Sequence, residues 1–230
     1  MNRRTFLKTL PALGVLAGAA TSFAQDLQPI VLPKPEKDGG KSVLAALWER
    51  KTNRNISQEK LPPQVLSNLL WAAFGVNREN EPYGGPGRTA ASAGNSQEID
   101  LYVALPEGVY LHEAVPHRLS PVAAGDFRPR SGKRAAAPVT IFYVVDLAKY
   151  VKSPFKEQAL KDSDTAKSFY YVATGLIAGN VYLFAASQGL ASQFHTCDTT
   201  NTPKEFKLRP EQRVLYAHTI GYPADAQPSR

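Results

Sequence analysis

The sequence contains a single cysteine, Cys197, in 230 residues. It therefore cannot form an intrachain disulfide scaffold or a metal site built from several cysteines. Charged residues make up only 20% of the chain and hydrophobic residues 43%, which excludes a disordered polyelectrolyte and favours one sizeable core. The length predicts one domain rather than two.

Several catalytic signatures are also absent. The sequence has no Gly-x-Ser-x-Gly nucleophile elbow and no His-Glu-x-x-His zinc motif. The glycine-rich stretch Gly84–Arg88 lacks the Lys-Ser/Thr pair of a P-loop, so we interpret it as a lid or rim. His112 and His117 are five residues apart and have no carboxylate cluster beside them, which is a poor arrangement for metal ligands.

His195 and Cys197 flank Thr196 just after a short predicted strand. On alternate residues of an extended chain, the imidazole and the thiol would share one face. They could be two metal ligands, or a thiol nucleophile with its base. Two ligands do not complete a metal site, and no cysteine-hydrolase signature is present. We therefore expect neither chemistry and predict no metal.

The net charge of +7 is unevenly distributed. Arg3, Arg4 and Lys8 contribute +3 within residues 1–24, which contain no acidic residue, and the remaining chain carries only +4. A basic balance of this origin does not predict a nucleic-acid partner.

Residues 1–24 resemble a twin-arginine export signal. The paired arginines precede a mild apolar run over residues 10–20, and the small residues Ser22 and Ala24 precede a plausible cleavage point before Gln25. The run is too short and too rich in glycine and alanine to span a bilayer well. We expect an exported, periplasmic protein. The alternative is an ordinary secretory signal that happens to contain two arginines.

The rest of the chain alternates between helical and strand patterns without an internal repeat. Prolines and glycines predict an extended leader over residues 25–41. Helices are predicted over 42–51 and from Pro62 to Gly75, followed by a long loop over 77–97, a length typical of functional segments. Strands are predicted at Ile99–Leu105, Val109–Leu111, Pro138–Val145, Leu190–Phe194 and Gln212–Gly221. This order predicts one α+β domain over residues 42–230.

The segment Phe169–Gln193 contains no charged residue. Gly175 and Gly179 match the small-xxx-small spacing of paired membrane helices, but several polar residues and tyrosines dilute the hydrophobicity. We expect no stable membrane insertion. The segment instead predicts a helix buried in a large core or a subunit interface, with Ser163 as its N-cap.

Two polar segments could bind a ligand. Residues 50–54 place three cations and a hydroxyl at the end of the first helix, a set that suits a phosphate, although a solvated basic helix end is the alternative. Residues 91–98 lead into a strand and offer small residues, hydroxyls and amides to a polar ring edge. A hydrogen-bonded turn is the alternative there.

Taken in order, these segments resemble the nitroreductase-like flavoproteins, and among them most closely the SagB-type (azoline) dehydrogenases. The resemblance extends from about Ser42 to Pro223. Its parts are residues 50–54, 66–77, 88–90, 92–98, 100–103, 175–190 and 220–223.

The resemblance implies an α+β layered fold, with a central, mostly antiparallel sheet flanked by helices. It also implies a homodimer with one FMN per subunit at the interface, and the uncharged helix as the dimer core. The implied FMN contacts are Arg50, Lys51, Thr52 and Arg54 for the phosphate and ribityl chain, Ser92, Ala93 and Asn95 for the flavin edge, and His195 and Thr196 for the opposite side. Arg230 is the remnant of a basic tail, and Arg128 or Arg130 would supply a cation near flavin N1 and O2.

The implied activity is that of an exported FMN-dependent oxidoreductase, in which a hydride passes through flavin N5 to or from a small organic substrate. One alternative is oxidation of a peptide heterocycle, with Tyr83–Arg88 as the rim of a peptide groove. Another is a non-catalytic flavin-binding protein. The electron donor is unknown, because nicotinamide donors are not expected outside the cytoplasm.

Overall fold

A computed structural model describes residues 27–80, 85–128 and 136–224. The predicted export signal and Arg230 therefore lie outside the described residues, as do Tyr83 and Arg130.

Seven strands form one sheet. They are β1 (Ile30–Val31), β4 (Ile99–Leu105), β5 (Gly108–Glu113), β6 (Arg118–Ala124), β7 (Val139–Asp146), β8 (Ala191–His195) and β9 (Gln212–Gly221). Their order is β1-β6-β5-β4-β7-β9-β8, and every neighbouring pair is antiparallel. A separate hairpin joins β2 (Val76–Arg78) to β3 (Gly87–Arg88). The predicted α+β class with an antiparallel sheet is confirmed.

Five α-helices accompany these strands in the described part of the chain. They are α1 (Val43–Glu49), α2 (Pro63–Phe74), α3 (Lys156–Leu160), α4 (Asp164–Ser187) and α5 (Thr202–Glu205). Ser163 accepts a hydrogen bond from the Ala166 amide and caps α4 as predicted. Helix α2 begins with proline in its first turn and ends at Gly75, also as predicted.

Both faces of the sheet are covered. Helices α2 and α4 pack on one face, where Leu69, Leu70 and Ile177 are fully buried. On the other face, Phe206 stacks on Tyr102 with ring centroids 5.7 Å apart. Every residue of β7 is buried as a result, which explains its almost continuous hydrophobic sequence.

The sequence patterns did not predict strand β6. They also did not predict the β2–β3 hairpin, most of which lies within the predicted loop 77–97. In β6, Pro121 argues against a strand because proline cannot donate to a ladder. The structure places Pro121 opposite Tyr110 at a register shift between β5 and β6. A bulge of this kind is where a sheet tolerates proline.

Residues 27–41, in the predicted leader, are packed against the domain. Within residues 27–41, the Lys34 carbonyl accepts a hydrogen bond from Gln64 Nε2 at 3.0 Å, and the Lys41 amide donates to the Ser187 carbonyl at 3.1 Å. The leader thus crosses α2 and reaches the end of α4.

In the single chain, helix α4 is buried on one side and exposed on the other. Its exposed side carries Tyr171, Val172 and Leu176 next to Gly175 and Gly179. A Cβ atom on either glycine would meet no atom within 4 Å. By length and composition α4 could cross a membrane, with a mean hydropathy of 1.4, yet its other side packs on the sheet.

Helix α1, which contacts α4, also leaves large apolar side chains exposed. Leu44 projects into solvent, and Trp48 is 92% exposed. We call the exposed residues Leu44, Trp48, Val172, Gly175 and Leu176 the α1–α4 surface. An apolar surface of this extent on two adjacent helices is typical of an interaction site.

Candidate functional site

The end of α1 is fixed against α4 and β8. The Arg50 guanidinium lies over the ring of Tyr182, with 5.4 Å between Cζ and the ring centroid. The Thr52 hydroxyl is 3.0 Å from the Tyr182 hydroxyl. The Asn53 amide donates to the Ser192 carbonyl at 2.9 Å. The predicted phosphate segment is therefore held in a defined conformation.

A cavity of about 230 Å³ opens beside this helix end. Lys51, Asn53 and Tyr182 form one side, and Gly189 and Ser192, from the turn into β8, form another. Lys51 and the hydroxyls of Tyr182 and Ser192 suit a phosphate, which only accepts hydrogen bonds at its ionised oxygens, while Glu49, which also lines the cavity, is paired with Lys41.

The end of β8 lies next to this cluster. The amide of Phe194 donates to the Tyr182 hydroxyl oxygen at 2.9 Å. His195 Nδ1 is 2.7 Å from the Thr196 carbonyl, and its Nε2 is 2.9 Å from the Thr219 hydroxyl. Since a carbonyl only accepts, Nδ1 carries a proton. The imidazole is therefore fixed in orientation by contacts at both ring nitrogens.

A second histidine lies beneath Tyr182. His218 on β9 is fully buried, with its ring centroid 4.6 Å from that of Tyr182 and its Nδ1 3.1 Å from the Tyr143 hydroxyl. Burial, with a smaller contribution from nearby His195, lowers the pKa of His218 to about 3, so the ring is neutral at physiological pH. Sequence analysis did not single out His218, because a lone histidine in a strand carries no motif.

The predicted flavin-edge loop has an unusual backbone. Gly94, Asn95 and Gln97 all adopt positive φ, at 57°, 50° and 50°. The Gln97 amide donates to the Ser92 hydroxyl at 3.0 Å. Left-handed conformations at non-glycine residues cost energy and cluster at functional sites. The loop is also internally hydrogen-bonded, with Ser96 donating to the Ala93 carbonyl and Gln97 Nε2 to Asn95, so Ser92, Ala93 and Asn95 stay a prediction beside the alternative of a hydrogen-bonded turn.

Arg88 and Lys149 lie beside this loop. The sequence motifs did not assign either cation to the flavin edge. A cavity of about 440 Å³ is lined by Arg88 and Lys149 together with Asn95 and Gln97. Arg88 Nε donates to Gln97 Oε1 at 2.6 Å. Burial lowers the pKa of Arg88 to about 10, while Asp100 opposes this shift, so Arg88 remains charged at neutral pH. Lys149 follows β7 in a 3₁₀ turn, a position that gives no sequence signal.

One chain does not bring the two predicted parts of the site together. Gly94 packs against Pro154, and the next residue, Phe155, contacts Phe169 near the start of α4, with centroids 4.6 Å apart. Tyr182, beside the cationic cluster, lies 13 residues further along α4, although Thr89, just before the loop, accepts a hydrogen bond from Asn180 at 3.2 Å. The two cavities share no lining residue.

The predicted flavin-edge cation Arg128 is already bound. Its Nε and Nη2 donate to the two carboxylate oxygens of Asp126, each at 2.8 Å, and its Nη1 donates to the Ala137 carbonyl at 2.9 Å. Arg88 and Lys149 both donate to Gln97 of the loop, although Lys149 is itself paired with the carboxylate of Asp100.

Cys197 packs against the apolar cluster that includes Phe206. Burial, with nearby Asp198, raises the pKa of its thiol to about 11. The thiol is therefore protonated and weakly nucleophilic at neutral pH. Within the described ranges, no group of three or more His, Cys, Asp or Glu side chains could hold a metal ion.

An antiparallel sheet covered by a long apolar helix, with a cationic cluster beside that helix, defines an α+β protein with a candidate anion site. The nitroreductase family model matches residues 47–222, and the chain belongs to the nitroreductase family. It is an oxidoreductase of the general flavin-dependent type to which that family belongs.

Similar proteins cover most of the chain. A Methanocaldococcus jannaschii protein described as a nitroreductase, MJ1384, is 27% identical over 174 residues, which are 73% of this chain and 83% of that protein. A crystal structure of a Ralstonia eutropha protein, also described as a nitroreductase, shares 32% identity with a TM-score of 0.75, and the match covers 96% of this chain and all of the other. The Escherichia coli microcin synthetase McbBCD complex contains the same fold, with 17% identity, a TM-score of 0.60 and coverage of 96% and 85%.

Proposed function

We propose that this chain is an exported, FMN-dependent oxidoreductase whose active site is completed by a second copy of the chain. The observation that carries the proposal is the cluster at the end of α1. There Lys51 and Tyr182 line a cavity beside β8, and Arg50 and Thr52 contact Tyr182 at its edge.

The chemistry of these residues fits FMN. The phosphate would bind to Arg50, Lys51 and Arg54, with Thr52 as a neutral donor. His195 and Thr196 lie at the end of β8 on the same side of the domain, joined to the cluster through Phe194 and Tyr182. The loop with Ser92, Ala93 and Asn95 offers hydroxyl and amide groups suited to a polar ring edge.

The separation of the two parts supports a homodimer. If two α4 helices cross in antiparallel orientation about a two-fold axis, the loop at residues 92–97 of one subunit approaches residues 50–54 of the other. Gly175 and Gly179 leave room for close approach of the helices. The α1–α4 surface would be buried in the same contact, as expected of an obligate, apolar interface.

FMN bound at this interface would supply reversible hydride chemistry at N5. The chain would anchor the phosphate through its cations and orient the ring between β8 and the partner's loop. Arg88 and Lys149 would add positive charge where a reduced flavin ring concentrates negative charge. The subunit interface would exclude water from the reacting face. None of these roles requires a nucleophile, which agrees with the protonated state of Cys197.

A redox assay tests the proposed activity against the alternative of a non-catalytic flavin-binding protein. We expect purified protein to be yellow, to bleach with dithionite without oxygen, and to regain its absorbance within seconds when a quinone or a nitroaromatic compound is added. The control is flavin-depleted protein to which neither flavin nor dithionite is added. Reduced flavin that is not reoxidised by either acceptor would contradict the oxidoreductase proposal.

Export is a separate part of the proposal and depends on the twin arginines of residues 1–24. We expect conservative replacement of both, Arg3→Lys with Arg4→Lys, to retain the protein in the cytoplasm, because the resemblance is to a route that requires the arginine pair itself. Fractionation of cells expressing each form measures this. Single replacement of Lys8 by arginine is the control, and unchanged export of the double variant would indicate an ordinary secretory signal.

Oxidation of a peptide heterocycle is the second form that this activity could take. It is favoured by the resemblance of the segments between about Ser42 and Pro223 to the SagB-type (azoline) dehydrogenases. The cavity beside Arg88 and Lys149 would then have to admit a peptide. Turnover of a thiazoline- or oxazoline-containing peptide, absent with simple nitroaromatics, would favour this form.

A further inference from the structure

We propose that Tyr182 makes this site selective for a phosphorylated flavin, because it orients Thr52 as a hydrogen-bond donor toward the phosphate. The inference rests on the proposed function, and it concerns a residue that lies on α4, outside the cationic segment. Tyr182 is a positioning residue, since it would act on the cofactor through Thr52 and Arg50.

Tyr182 and Thr52 each have one hydroxyl proton to donate. The Tyr182 oxygen already accepts a hydrogen bond from the Phe194 amide at 2.9 Å. Its single proton is then free to point at Thr52 Oγ1, 3.0 Å away. In that arrangement Thr52 accepts from Tyr182, and its own proton remains for a ligand. Ionised phosphate oxygens accept hydrogen bonds and donate none, so they match a threonine in this state.

The surroundings of Tyr182 fix this arrangement. β8 is an edge strand of the sheet, so the amide of Phe194 points away from β9. The Tyr182 hydroxyl accepts the hydrogen bond from this amide. The ring of Tyr182 packs on His218 and supports Arg50 on its face, at 4.6 Å and 5.4 Å between centres. One side chain therefore positions a cation and a hydroxyl of the phosphate cluster together.

The test compares FMN with riboflavin, which lacks the phosphate. Tyr182→Phe removes the hydroxyl but keeps the ring under Arg50. We expect its affinity for FMN to fall about tenfold, the usual effect of losing one hydrogen bond to a charged group, while its affinity for riboflavin stays unchanged. Fluorescence quenching of each flavin during titration with flavin-depleted protein measures both affinities.

Thr52→Val gives an independent test that leaves the tyrosine in place. We expect it to lose the same factor for FMN, and the double variant with Tyr182→Phe to lose little more, because both changes remove one interaction. Tyr102→Phe, which removes a hydroxyl that accepts a hydrogen bond from Gln212 on the opposite face of the sheet, is the matched control and should bind as the unaltered protein does. Equal loss of FMN and riboflavin affinity, or an unchanged ratio in both variants, would overturn the inference. An unaltered protein that binds neither flavin would instead overturn the proposed function.

Discussion

Replacing Arg50 and Arg54 with alanine is expected to lower FMN affinity by at least about a hundredfold, because each arginine would make a charge-assisted hydrogen bond worth roughly 1.5–3 kcal/mol. The protein should then be purified without colour. Arg50 is exposed and lies on the ring of Tyr182, so its loss should not disturb the core. Flavin content after purification and the dissociation constant for added FMN measure the effect.

The matched control removes two arginines elsewhere. Arg118 is paired with Glu113 on β5, and Arg213 lies near Asp162. Alanine at both positions changes the net charge of the chain by the same amount, and it should leave FMN affinity within about twofold because exposed ion pairs contribute little. If the Arg50/Arg54 variant keeps its flavin, the phosphate assignment is wrong.

Replacing Val172 with glutamate should dissociate the dimer into monomers and release the flavin. Val172 is 62% exposed in the single chain, so the fold of one subunit can accept the charge. Burying an unpaired carboxylate in an apolar subunit interface costs several kcal/mol. We expect a folded monomer that has lost FMN, since the loop at residues 92–97 would no longer reach the cluster at residues 50–54. Light scattering during size-exclusion chromatography measures the oligomeric state.

Val31→Glu is the matched control for this experiment. Val31 is 79% exposed on the edge strand β1, away from α4, so the same substitution should leave the dimer and its flavin intact. A Val172→Glu variant that remains a flavin-bound dimer would contradict the proposed interface. A flavin-bound monomer would contradict the two-subunit site while leaving the phosphate cluster possible.

Local rules predicted the elements whose signals are carried by adjacent residues. Ser163 and Pro63 mark the starts of α4 and α2, and β9 has its predicted bounds. The exposed side of α4 could not be predicted from composition. An apolar composition shows that a helix face is buried, but it does not distinguish burial in the domain core from burial against another subunit.

The site was predicted as a set of segments, and their separation was not visible in the sequence. Residues 50–54 and 92–95 are both suited to FMN, but only the structure shows that they lie at two separate cavities in one chain. Tyr182 was missed for a related reason. A tyrosine in an apolar helix looks like a core residue, and its hydrogen bond to Thr52 depends on the packing of α4 beside the end of α1.

Native mass spectrometry of the purified protein tests the central claim most directly, because one spectrum reports subunit number and bound cofactor together. The account predicts a dimer that carries two FMN molecules, each released on denaturation with the mass of the phosphorylated flavin. A monomer without flavin, still without it after incubation in excess FMN, would contradict the account.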